Sequence, residues 1–473
     1  MSASVRSERR SHIRVPARAS VWYVISGALA RGVGVLGTPI FTRALTPGEY
    51  GLYPLYSTWL SVLAVFGTLE LTGSVIHRGL IRYSERREEF ILSALALIFT
   101  VFGGFSVVYF LFSERISKLT GLSTEVFSML LLQIIFGSVI SLYTARCRFE
   151  YRYREVALYN VLSSVLSFLL SLFLLRATQL RAEARIVGTL AVSAALALPM
   201  LVSIARASGA RINLGIWKYL LRFNLPLLPH YIASSVILRI GEISVGRIFG
   251  QAEIGKYSVA MSVGLSLTMI TNGLSSALCP WFLRKIEGGK FEESSSFILS
   301  VTRLVTLAAL LLLSVAPEAL ALITAPEYSD ALFAVYPLAL TVIPLFLSGI
   351  VMTGCMYYEK NGFSSLTSVL AAIISALLSF TVLPHVHFTV SGVFALVSYS
   401  SLALLSILSF KRLSGKSPIS LPRLSLLFLS SLLFAAVLYL FRGAVLSRAL
   451  FAAALLLPLG KNAREVYARI KER

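Results

Sequence analysis

Between Ser20 and Gly460 the sequence is cut into apolar blocks of roughly 18–27 residues, joined by short polar turns. That is the length a helix needs to cross about 30 Å of hydrocarbon at about 1.5 Å per residue. Inside a bilayer only helices and closed barrels satisfy every backbone N–H and C=O group. A barrel would show segments of about ten residues alternating with period two, and few occur here. The chain is therefore expected to be an all-α polytopic membrane protein. Charge content agrees: 14% of the 473 residues are charged, against about 25% in soluble domains.

Fourteen spans are expected, at about 20–43, 50–76, 90–112, 126–145, 156–175, 186–205, 223–249, 255–283, 295–316, 331–357, 364–384, 391–410, 424–441 and 449–460. The net charge of +21 raises the possibility of nucleic acid binding. Its placement decides otherwise. With the N-terminus in the cytoplasm, 30 of the 43 Lys and Arg fall in cytoplasmic segments and ten at the outer ends, leaving Arg31, Arg239 and Arg303 within spans. This is the positive-inside bias of a multi-pass protein of the cytoplasmic membrane with both termini cytoplasmic. The first apolar run is too long for a cleaved signal and reads as a retained helix. Cys147, Cys279 and Cys355 are scattered, without metal or disulfide spacing, and no Walker motif or other cofactor site is present.

A repeat organises the spans. FTRALTPGEYGLYPL and VGRIFGQAEIGKYSV share Arg-x5-Glu-[Tyr/Ile]-Gly-x-Tyr, with Arg43, Glu49, Gly51 and Tyr53 matching Arg247, Glu253, Gly255 and Tyr257 at an offset of 204 residues. Six spans separate the copies, so both halves run the same way through the membrane, a known transporter plan. The expected organisation is a basic tail at 1–19, a six-helix lobe at 20–222, a second lobe at 223–423, two added helices at 424–460 and a basic tail at 461–473.

Charges inside spans must face away from lipid, because an arginine at mid-depth costs at least about 2.5–3.5 kcal/mol. Arg31 shares a small, polar helical stripe with Gly27, Gly34 and Thr38. In the seventh span Tyr231, Ser235, Arg239, Glu242 and Gly246 lie on one face, and Arg239 and Glu242 are three apart and can pair. Arg303 sits with Ser296 and Ser300. Glu70, in the second span, can pair with an arginine, take a coupling ion or cap a network. Uncharged stripes run through Gln133, Gly137, Ser141 and Thr144, and through Asn160, Ser164, Ser167 and Ser171. They suit a hydrated cavity or interhelical hydrogen bonding. Three arginines against two glutamates leave an interior that favours an anion.

Three stretches resemble Wzx-type polysaccharide flippases: LPLLPHYIASSVILRIGEISVGRIFGQAEIGKYSVAMSVG at 225–264, FTRALTPGEYGLYPLY at 41–56 and HRGLIRY at 77–83. Glu242 stands where that family commonly has Asp. The resemblance implies a member of the superfamily of MATE exporters and the lipid II flippase, with two six-helix lobes around a cavity and alternating access. The implied cargo is a polyprenyl-diphosphate-linked oligosaccharide repeat unit, moved outward for surface polysaccharide assembly. Arg31, Arg239 and Arg303 would then meet the diphosphate, Glu70 and Glu242 would couple ions or pair internally, and Gly27, Gly34, Ser235, Asn160 and Gln133 would line the cavity. An H+ or Na+ gradient, membrane lipids and polysaccharide assembly proteins are the implied partners. A MATE-like exporter would need interior acids, which the arginine excess disfavours. A polymerase or ligase would need a long outer loop, and the longest here is short.

Overall fold

The computed structural model describes residues 3–73, 75–209, 211–358 and 361–471. Helix makes up 88% of it, and no strand occurs among the described residues. The chain divides into two compact units, Met1–Ile232 and Ala233–Arg473.

The first unit holds α1 (Ala3–Ala44), α2 (Pro47–Thr68), α3 (Val75–Arg82), α4 (Arg87–Leu111), α5 (Ser113–Thr120), α6 (Thr124–Phe149), α7 (Tyr153–Ala177), α8 (Ala184–Ala207) and α9 (Leu214–Asn224). α10 (Leu228–Ile248) begins in it and continues into the second unit. The second then holds α11 (Gln251–Gly264), α12 (Thr268–Glu287), α13 (Phe291–Ser314), α14 (Ala316–Ile323), α15 (Leu332–Tyr357), α16 (Asn361–Leu377), α17 (Ser391–Ser414), α18 (Leu421–Leu440) and α19 (Val445–Lys471). α18 and α19 pack on α13 as part of that unit.

The 204-residue offset seen in one motif extends to the helix ends. α1 stops at Ala44 and α10 at Ile248; α2 starts at Pro47 and α11 at Gln251; α4 starts at Arg87 and α13 at Phe291. Each of these pairs is 204 apart. The short helices α5 and α14 follow in equivalent places. The turn between α1 and α2 is set locally: Thr46 caps the backbone N–H of Glu49, Glu49 returns the bond to Thr46, and Pro47 supplies a fixed φ at the first helical position.

Among the described residues, ten helical segments are long and apolar enough to cross a membrane. Of the other expected spans, the seventh carries Arg239, Glu242 and Arg247 within α10, and the second and eighth are each broken into two helices. The second expected span, 50–76, is not one helix. It breaks after Thr68, where Leu69 (φ 51°) and Glu70 (φ 48°) both take left-handed backbone, and resumes as α3. Asn224, at the end of α9, donates its side-chain N–H to the Leu69 carbonyl. The break therefore satisfies a carbonyl that the interrupted ladder would leave free. The eighth expected span is likewise two helices, α11 and α12. α9 was not foreseen, and the last helix begins at Val445 rather than near 449.

Each unit has its own core. In the first, Phe90, Ile91, Leu95, Val139, Leu142 and Ile204 are buried together. In the second, α15 is buried along most of its length between α12, α13 and α17.

Candidate functional site

The first unit holds a half-open polar cavity of about 250 Å³ beside α1, α7 and α8. Its wall on α7 carries Ser163, Ser164, Ser167 and Ser171, which recur at helical spacing and so share one face. α8 adds Arg185, Thr189 and Ser193, and α1 presents Gly34 and Gly37. Gly188 lets α8 approach α7 closely: a Cβ there would lie 2.5 Å from Ser171 Oγ and 2.8 Å from the Ser171 backbone nitrogen. Phe41, Tyr53 and Phe168 close the end nearest the α1–α2 turn.

Arg185 lies among those rings. Its guanidinium carbon is 3.8 Å from the Tyr53 ring centroid and 5.2 Å from that of Phe41, within cation–π range of both. It forms no ion pair among the described residues, and no acidic residue lines the cavity. Most of the wall's hydroxyl protons are already committed. Ser164 donates to the Asn160 carbonyl (2.9 Å), Ser171 to that of Ser167 (2.6 Å) and Thr189 to that of Arg185 (2.8 Å). Gln133 of α6 donates from Nε2 to Ser193 Oγ at 2.9 Å.

The second unit carries a charged pair on α10. Arg239 Nη1 donates to Glu242 Oε2 at 2.8 Å, an i,i+3 contact, and Glu242 is only 4% exposed. The Nε of Arg239 is buried with no hydrogen-bond partner. A guanidinium offers five donors in a fixed fork, so that edge is unspent. Ser235 lies one turn earlier on the same helix and is half-buried.

The remaining sequence-derived residues are dispersed. Arg31 is exposed on α1 and forms no ion pair with Glu70. At the 204-residue offset Arg31 corresponds to Ser235, not Arg239, so the two arginines occupy places one helical turn apart in their units. Gly27 has open space on its Cβ side, and of that stripe Gly34 reaches the cavity. Glu70 sits half-buried at the α2–α3 break, within the second expected span. Arg303 is exposed on α13 of the second unit.

The sequence profile of the polysaccharide biosynthesis protein family matches residues 40–331, more than half of the chain. The chain belongs to that family. No curated protein matches it. Among solved structures, the lipid II flippase MurJ in an inward closed conformation aligns with a TM-score of 0.66 at 14% identity, covering 96% of this chain and 100% of MurJ. An inward-facing multidrug resistance MATE family transporter of the MOP superfamily gives 0.65 at 13% identity, covering 82% and 94%. A MOP superfamily transporter from Pyrococcus furiosus, whose binding pocket is described as reversed in polarity, gives 0.58 at 15%, covering 85% and 96%. At such identities the likeness is one of fold, and the fold is the MurJ/MATE fold that the sequence resemblance implies.

For this member of the polysaccharide biosynthesis family, sequence reasoning missed Arg185. It stands just before the expected start of its span and reads there as an outer-end charge. Only the aromatic partners from α1 and α2 reveal it.

Proposed function

We propose that the protein is a flippase that carries polyprenyl-diphosphate-linked oligosaccharide repeat units across the cytoplasmic membrane for surface polysaccharide assembly. The observation that carries this reading is cationic character in the charged first helix of each half, in a chain of the polysaccharide biosynthesis family. A diphosphate headgroup must shed water to pass hydrocarbon, and arginine forks replace that water with paired, charge-assisted hydrogen bonds. Arg239, whose side chain is part-exposed, and Arg31, exposed and with no ion pair to Glu70, are the residues assigned to that contact. Arg303 is a secondary candidate.

A cation exporter would need an interior carboxylate free for its cargo, and Glu242 is committed to Arg239. Glu70, half-buried at a strained helix break, is the residue assigned to ion coupling. The cycle is alternating access driven by an H+ or Na+ gradient. Both termini are assigned to the cytoplasm, a placement that the distribution of Lys and Arg supports.

The test is a deletion strain in which lipid-linked repeat units are scored by leaflet. Loss of the protein should trap complete units on the cytoplasmic face. Complementation with wild type should release them, and with Arg31→Ala or Arg239→Ala should release them at least tenfold more slowly. Units that reach the outer leaflet without the protein and accumulate there singly would instead mark a polymerase.

A further inference from the structure

The serine-walled cavity of the first unit has a chemistry narrower than "polar". Because Ser164 and Thr189, both half-buried on the cavity wall, spend their protons on helix carbonyls, what their oxygens have left to offer is acceptor capacity. A ligand there must bring hydrogen-bond donors. Donors come as a cation or as a set of hydroxyls, and the unpaired charge of Arg185 in the same cavity repels a cation. Arg185 itself needs an acceptor, best an anionic one. Its guanidinium plane is held by Tyr53 and Phe41, so its N–H edges are positioned for a planar, two-oxygen partner. Phe168 and Tyr159 add apolar ring surface to the same wall. The side-chain hydroxyl of Ser167 makes no hydrogen bond among the described residues and is free to serve as a donor or acceptor.

Size sets the last constraint. The cavity holds about 250 Å³, below the roughly 300–1,000 Å³ of sites that take drug-sized molecules. It takes one ring, and its open side leaves the rest of a glycan outside. Hydroxyl donors on a compact ring with a planar carboxylate at one end describe an acidic monosaccharide of the glycuronic type.

We propose that this cavity is a binding site for a single acidic sugar residue, with its carboxylate on Arg185 and its hydroxyls donating to Ser164 and Thr189. As a subsite for one residue of the cargo glycan, it rests on the reading of the protein as an oligosaccharide flippase. The site's own chemistry can be tested without transport.

The purified full chain in detergent is titrated with sodium glucuronate, glucose and sodium acetate, and binding is read by saturation-transfer NMR on the sugar protons and the acetate methyl. Glucuronate should bind at least tenfold more tightly than either control. Arg185→Gln should lose that preference, and Arg185→Lys should retain part of it. Ser167→Leu, which fills the cavity and leaves Arg185 in place, should abolish binding; equal melting temperatures show that each variant is folded. Equal binding of glucuronate and acetate overturns the sugar site in favour of a simple anion site. Equal binding of glucuronate and glucose, or binding that survives Ser167→Leu, overturns it as well. A wild-type protein that translocates lipid-linked units but ignores glucuronate removes the subsite alone. One that binds glucuronate but translocates nothing removes the flippase reading alone.

Discussion

Arg448 of α19 grips Glu318 of α14 with both terminal nitrogens, at 2.6 and 2.5 Å, while Nη1 also donates to the Ser314 carbonyl at 2.8 Å. The two ends of this contact are unequal. The arginine side chain is 3% exposed, the glutamate 51%. A last-span helix is thus pinned to the helix that follows α13 by a charge that has left water almost completely.

That inequality predicts an asymmetric response to mutation. Glu318→Ala strands a buried guanidinium whose Nε already lacks a partner, and a stranded buried donor costs about 1–3 kcal/mol. Arg448→Met keeps most of the volume and leaves a carboxylate that water can reach, so it should cost clearly less. Thermal unfolding in detergent should place Glu318→Ala below Arg448→Met. Equal melting temperatures would mean the charge is not buried in solution.

The uninterrupted spans were legible because apolar length alone dictates them: α6, α7 and α8 lie within a few residues of expectation. The breaks were not. Nothing local in Thr68–Leu71 calls for two left-handed residues; the donor that rewards them, Asn224, arrives from a distant helix. α9 escaped because it is amphipathic and short, with Lys218 and Arg222 reading as loop charge. At the site, the spacing of Ser164, Ser167 and Ser171 declared a polar face. The cation that gives that face its character depends on rings from α1 and α2, which no periodicity within α8 encodes.

A second ion pair carries a pH signature. At the α1–α2 turn Arg181 Nε lies 2.5 Å from Glu49 Oε1, and Nη2 bonds both Glu49 Oε2 and the Ala44 carbonyl at 3.1 Å. The Arg181 contact, with the capping bonds from Thr46, holds the Glu49 carboxyl down from its ordinary 4.5 to about 2. A depressed folded-state value stabilises the fold only while the carboxylate would otherwise be ionised. The contribution is whole above about pH 4.5, shrinks as pH falls, and is gone below about 2. Because Arg181 is half-exposed, screening limits it to about 1 kcal/mol or less. Wild type should melt above Glu49→Gln at pH 7, with the gap closing between pH 4.5 and 2. A gap independent of pH would assign the effect to the neutral cap alone.

Glu70 should show stability and activity moving in opposite directions. Its left-handed backbone costs about 1–2 kcal/mol for a residue with a Cβ and almost nothing for glycine. Glu70→Gly should therefore raise the melting temperature. If Glu70 couples ions, the same variant should lose gradient-driven translocation while still binding cargo, and Glu70→Asp should restore part of it. A Glu70→Gly protein that is more stable and fully active would leave the residue a structural hinge only.

Glycines separate packing from function along the cavity. A Cβ on Gly188 would meet the backbone of Ser171, which cannot rotate away, so Gly188→Ala must push α8 off α7. Overpacking of this kind costs about 1–3 kcal/mol. Gly27 and Gly34 have nothing within 4 Å of an added Cβ. Alanine there removes unfolded-state freedom and should be neutral or stabilising by up to about 1 kcal/mol. Gly188→Ala should therefore melt lower than wild type, while Gly27→Ala and Gly34→Ala should not. Gly34 lines the cavity and Gly27 does not, so with folding preserved in both, weakened glucuronate binding should follow Gly34→Ala alone. If Gly27→Ala impairs it equally, the ligand reaches further along α1 than the serine wall.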